Sequence, residues 1–143
     1  MGKCIFCDLQ AGRGPVSVVY EDVSVFAFMD IQPVNPGHVL VIPRRHAANL
    51  AELDPADAAR LLPAGQKVAA ALRASGMRCE GVNLFLADGE AAGQEVFHVH
   101  LHVFPRWDGD GFGLRFGPNY RILPPRGELN ETAARLRSFM EIS

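Results

Sequence analysis

With 143 residues, 48% of them hydrophobic and 21% charged, the chain has the balance of a single globular domain that buries about two-thirds of its unfolded surface, not that of a disordered or fibrous protein. A formal net charge of −2 supplies no basic field for nucleic acid, so an anionic ligand has to be met by local donors. No apolar run approaches the roughly 18 residues of a membrane span, Met1-Gly2-Lys3 leads into Cys4 without a secretory core, and three cysteines suit a reducing compartment; a cytoplasmic protein without membrane or nucleic-acid partners is expected.

The chain opens on Cys4-Ile5-Phe6-Cys7-Asp8-Leu9, a CxxC pair on a short helical pattern that Gly12 and Gly14-Pro15 end. Alone, such a pair reads equally well as two small buried residues. Val16 to Glu21 and Val23 to Met29 are β-branched and aromatic and predict an antiparallel hairpin. A breaker-rich loop, Asp30 to Gly37, precedes a buried strand from His38 to Pro43 and the basic Arg44-Arg45-His46.

Asp54-Pro55 has the chemistry of a helix start, an N-cap carboxylate before a proline whose missing N–H costs nothing there. Apolar residues recur at helical spacing from Ala58 to Leu72, and Ser75-Gly76 stops them; Pro63 lies inside and predicts a kink or a split. A strand over Gly81 to Ala87 and a glycine-bounded loop, Asp88 to Gln94, follow. From Pro105 the chain reads as loop until a final amphipathic helix from about Leu129 to Met140, with no internal repeat and no linker.

Between the glycine loop and the tail lies Phe97-His98-Val99-His100-Leu101-His102-Val103-Phe104. As a strand it puts three imidazoles on one face, about 7 Å apart, and Val99, Leu101 and Val103 on the other. All 5 histidines of the chain lie in this row, at a strand start (His38) or after a strand end (His46), which favours one site. His-x-His on a strand is a common metal arrangement, but no Asp or Glu shares the row to complete a catalytic metal centre. A nucleophilic imidazole accounts better for the preceding loop, where Gly89 and Gly93 can aim backbone N–H groups at an anion.

His98-Val99-His100-Leu101-His102-Val103-Phe104 resembles the signature of the histidine-triad (HIT) family, and Phe28 to Pro43 resembles that family's second shared stretch. The likeness covers residues 4 to 111 and is nearest to the small prokaryotic, Hint-like members that begin with Cys-x-x-Cys. It implies an α+β fold: an antiparallel sheet of about five strands with a main helix and a C-terminal helix, one HIT domain with a C-terminal extension over 112–143, paired as a homodimer. It implies a nucleotidyl hydrolase or transferase that cleaves at the α-phosphate of a nucleoside phosphoramidate, acyl-adenylate or dinucleoside polyphosphate. A nucleotide-binding module with weak catalysis and a metal-dependent hydrolase stand as alternatives.

Carried onto these positions, the resemblance makes His100 the nucleophile, His102 a donor to phosphate and leaving group, His98 the third member of the catalytic row and His38 an orienting residue behind it. Asp30 would take the ribose hydroxyls, while Ile5, Phe6, Leu9, Met29 and Ile31 would wall a purine base. Gly93, Gln94, Glu95 and Val96 would hold the phosphate. Two positions depart from the family pattern: Ala87 replaces an amide, so that contact is either missing or supplied by Asp88, and Glu95 replaces a hydroxyl residue and is expected to turn outward. The same resemblance assembles Cys4, Cys7, His46 and His98 into one structural zinc site. A small-residue face on the 55–75 helix (Ala58, Ala59, Ala69, Ala70 and Ala71) suits the dimer.

Overall fold

The apolar runs assemble into one antiparallel sheet. A computed structural model, which describes residues 3–140, contains α1 (Ile5–Gln10), β1 (Val18–Glu21), β2 (Val25–Met29), β3 (Val39–Pro43), α2 (Pro55–Ala74), β4 (Gly81–Phe85), β5 (Leu101–Arg106) and α3 (Arg126–Met140). The sheet order is β1-β2-β3-β5-β4, so the strand with the last histidine lies between β3 and β4. The chain forms two compact units, Met1–Phe112, which holds the sheet, and Gly113–Ser143, which holds α3. No described helix is long and apolar enough to cross a membrane.

Strand alternation divides the core into two layers. Val25, Ala27, Val39, Val41, Leu101 and Val103 face α2, where Leu61, Ala64, Val68 and Leu72 meet them. Phe26, Phe28, Leu40 and Ile42 point the other way and pack with Phe6 of α1. The period of two therefore separates a helix-covered face from the face that carries His38, His102 and Phe104. Each buried leucine of the first layer contributes about 2–5 kcal/mol against truncation to alanine.

Four features differ from the sequence reading. α2 runs unbroken through Pro63 because Pro63 and Ala59, whose carbonyl it leaves without a donor, are both exposed, so water can take the lost bond. β5 starts at Leu101 and continues through Pro105 and Arg106. Ahead of it, Val99 donates its N–H to the Ala47 carbonyl at 2.8 Å instead of joining the β3 ladder. α3 begins at Arg126, three residues earlier than expected.

Candidate active site and metal cluster

Leaving the ladder at residue 100 breaks the expected row of three imidazoles. His98 is fully buried and turns away from the cavity face, while the ring centroids of His100 and His102 close to 4.9 Å instead of about the 7 Å of an extended strand. Two neighbouring sites result.

In the first, His98 Nε2 donates to the Pro43 carbonyl at 2.8 Å, which leaves Nδ1 as the lone pair. Nδ1 lies 3.3 Å from Cys4 Sγ, 3.6 Å from Cys7 Sγ and 3.3 Å from His46 Nδ1, and Cys7 Sγ lies 3.5 Å from that same His46 atom. An ion with tetrahedral bonds of about 2.0–2.1 Å to nitrogen and about 2.3 Å to sulfur sets edges of about 3.3 Å (N···N) and about 3.6 Å (N···S), which these separations match. The donor set and its tautomer thus fit zinc. Burial and the adjacent Cys4 push the Cys7 thiol up to about 11, so a cation bound there has to displace protons.

The second site is a cavity of about 950 Å³. Ile5, Phe6 and Leu9 of α1, with Met29 and Ile31 around the end of β2, give it an apolar wall; His38, His100 and His102 line its floor, and Gly93, Glu95 and Val96 its rim. His100 Nδ1 donates to the His98 carbonyl at 2.7 Å, so its Nε2 carries the lone pair. His38 Nδ1 accepts the Val34 N–H at 2.9 Å, so its Nε2 donates to His102 Nδ1 at 2.9 Å, with Asp30 Oδ2 at 3.5 Å. The proton of neutral His102 then sits on Nε2. Burial, and next the nearby His100 and His38, hold the His102 pKa down at about 4; burial lowers His38 as well, with Asp30 opposing. Asp30, His38 and His102 lie close enough to share a metal, but an ion on His38 Nε2 would move its proton onto Nδ1, against the Val34 N–H.

Two expected contacts, Gln94 and Asp88, fall elsewhere. Gln94 is buried and braces the glycine loop: its Oε1 accepts the Gly89 N–H at 2.8 Å and its Nε2 donates to the Ala48 carbonyl at 2.7 Å. The Gly93 and Gln94 N–H groups bond Glu90 and Gly89 within a turn that positive φ at both Gly89 and Gly93 permits. The N–H groups of Glu95 and Val96 take no protein partner among the described residues. Asp88 lies outside the cavity and accepts the Leu50 N–H at 2.9 Å, so it does not stand in for the amide missing at Ala87. Glu95 is exposed at the rim, as its charge demands.

The sequence reading missed Phe85, Phe104 and Phe112 on the far wall. Phe104 was available from alternation, since it shares the face of His102. Phe112 was not: Arg106 bonds Asp110 at 2.6 Å and the Phe112 carbonyl, and Asp110 accepts from Asn35 at 2.8 Å, drawing the 107–112 loop back over the sheet.

A HIT domain model matches residues 12–109. The chain belongs to the HIT family. Protein hit of Bacillus subtilis is 46% identical over 112 residues, or 78% of this chain and 77% of that protein. Adenosine 5'-monophosphoramidase hnt1 of Schizosaccharomyces pombe is 38% identical over 123 residues, 85% of this chain and 88% of its own. A zinc-bound histidine triad family protein from Mycobacterium smegmatis superposes with a TM-score of 0.74 at 39% identity, covering 94% of this chain and 96% of that one. The five-stranded sheet, the paired layers and the Cys-x-x-Cys opening of this HIT protein thus accord with its prokaryotic relatives.

Proposed function

We propose that this HIT protein is a nucleotidyl hydrolase or transferase that forms a nucleotidyl-histidine intermediate on His100. The observation that carries this reading is the 2.7 Å bond from His100 Nδ1 to the His98 carbonyl. It leaves Nε2 unprotonated in the neutral ring, which is the state a nucleophile needs. Nε2 attacks the α-phosphorus, the bond to the leaving group breaks, and the leaving group departs with the bonding pair and the proton from His102 Nε2. Water then attacks phosphorus, the P–N bond breaks, the electron pair returns to His100 Nε2, and the proton from water restores His102 Nε2–H.

The surroundings support matching roles. The Glu95 and Val96 N–H groups face developing charge at phosphorus, and His102 adds its Nε2–H. Asp30 Oδ1 is taken by the Gln32 N–H at 2.8 Å, which steadies the carboxylate and leaves Oδ2 for a ribose hydroxyl. The wall of Ile5, Phe6, Leu9, Met29 and Ile31 takes the base. Among the described residues of the Met1–Phe112 unit, no Lys or Arg lines the cavity, whereas Asp30 and Glu95 do. A polyphosphate chain would lack counter-charges there, so the substrate carries one phosphate, as a phosphoramidate or acyl-adenylate does. The likeness to an adenosine monophosphoramidase points the same way.

Cys4, Cys7, His46 and His98 would hold one structural zinc per chain, which cross-links α1 to the segment before β5. A homodimer completes the reading. β4 is an edge strand with exposed Leu84 and Phe85, and Ala58, Ala59, Ala70 and Ala71 lie exposed on α2; an uncovered apolar edge of this kind calls for a partner. Incubation with adenosine 5'-phosphoramidate tests the central reading: AMP release, with a transient AMP adduct on the peptide containing His100, is expected. Hydrolysis without such an adduct would favour direct attack by water.

A further inference from the structure

The two sites share more than a border. α1 has six residues, too few to hold a helix in water alone. Its position is therefore set by what grips it: two thiols in the metal cluster, Phe6 in the core, and Gln10 Nε2 on the Arg44 carbonyl at 2.7 Å. The same helix presents Ile5, Phe6 and Leu9 to the cavity. The Phe6 ring stands edge-on to both histidines, 6.0 Å from the His98 centroid and 5.2 Å from that of His100. His98 links the sites a second time, since its imidazole belongs to the cluster and its carbonyl fixes the tautomer of His100.

We infer that Phe6 and His98 couple the Cys4, Cys7, His46 and His98 cluster to the nucleotide cavity, so that metal and nucleotide each tighten the other's binding. Whichever ligand arrives first orders α1 and the residue-98 segment, and the second no longer bears that entropic cost. Linkage makes the effect reciprocal, and couplings of this kind usually amount to about fivefold or more. Phe6 and His98 act here as positioning residues. This rests on the proposed zinc and nucleotide sites but goes beyond both, because two adjacent sites can be filled independently.

The test is the rate of zinc loss from the protein as purified to a chromophoric chelator, with and without saturating AMP, read by absorbance and independent of turnover. AMP should slow release by about fivefold or more. Phe6→Leu, which keeps an apolar side chain between the cysteines, should bind both ligands but lose the protection. Ile31→Ala, in the same apolar wall but beyond the end of β2 and not on α1, should need more AMP yet show full protection at saturation. Zinc and AMP both bound with an unchanged release rate would overturn the coupling and leave the proposed function standing. Protection retained in Phe6→Leu and lost in Ile31→Ala would overturn the route through Phe6. A protein with no zinc would overturn the zinc site and the coupling while leaving the nucleotide reading standing, and one that binds no AMP would overturn the nucleotide reading and the coupling together.

Discussion

His38 Nε2 lies 2.9 Å from His102 Nδ1, and the direction of that bond is fixed from behind, because His38 Nδ1 already accepts the Val34 N–H. A backbone amide thus decides which nitrogen of His102 carries its proton, two imidazoles away. Replacing His38 by Ala frees His102 to turn or change tautomer. We expect kcat to fall by about 10²-fold with KM for the nucleotide little changed. Unaltered kcat would show that His102 needs no such partner.

Among the described histidines that line the cavity, His100→Ala removes the one whose lone pair is fixed on a nitrogen with no protein partner. Turnover should drop by at least about 10³-fold while AMP affinity, measured by calorimetry, stays within a few-fold, since the base wall and loop are untouched. Retained turnover would exclude His100 as nucleophile.

The buried imidazoles also set an acid limit on stability. The His102 pKa is lowered from 6.5 to about 4 and His38 moves the same way. Below the unfolded value the unfolded chain binds more protons than the folded one. The associated stability is therefore complete above about pH 6.5 and is lost as pH falls through about 4. Melting temperatures between pH 8 and 4 should decline toward acid, and less steeply in His102→Gln. A wild-type melting temperature that rises toward pH 4 would contradict this.

Elemental analysis of protein purified without chelator should find about one zinc per chain, and Cys7→Ser should lose most of it and melt several degrees lower. A metal-free wild type with the same melting temperature would leave the four side chains without a metal role.

How far the sequence could be read depended on the range of the interaction. Alternation assigned Leu101 and Val103 to one face and His102 to the other, because a period of two is local. The histidine motif pointed to His100 and His102, and the bounding glycines to the loop before them. The departure of His98 from the row was not legible in the periodicity of 97–104, since it depends on Pro43 and Ala47, some 50 residues away, offering carbonyls that a regular β5 would not use. Gln94 and Asp88 looked like ligand contacts because both are polar and flank the loop; only tertiary structure reveals the Ala48 carbonyl and Leu50 N–H that occupy them. Phe112 depends on the Arg106, Asp110 and Asn35 network and has no local signal.

Sedimentation at micromolar concentration should give the mass of two chains, and a charge at the β4 edge, Leu84→Glu, should shift it toward one. A monomeric wild type would leave Leu84 and Phe85 uncovered and refute the dimer.

The stereochemistry at phosphorus bears most directly on the mechanism. With a substrate chiral at the α-phosphorus, attack by His100 and then by water inverts configuration twice, so the account predicts overall retention. Overall inversion would mean a single direct displacement and would contradict the covalent intermediate on His100.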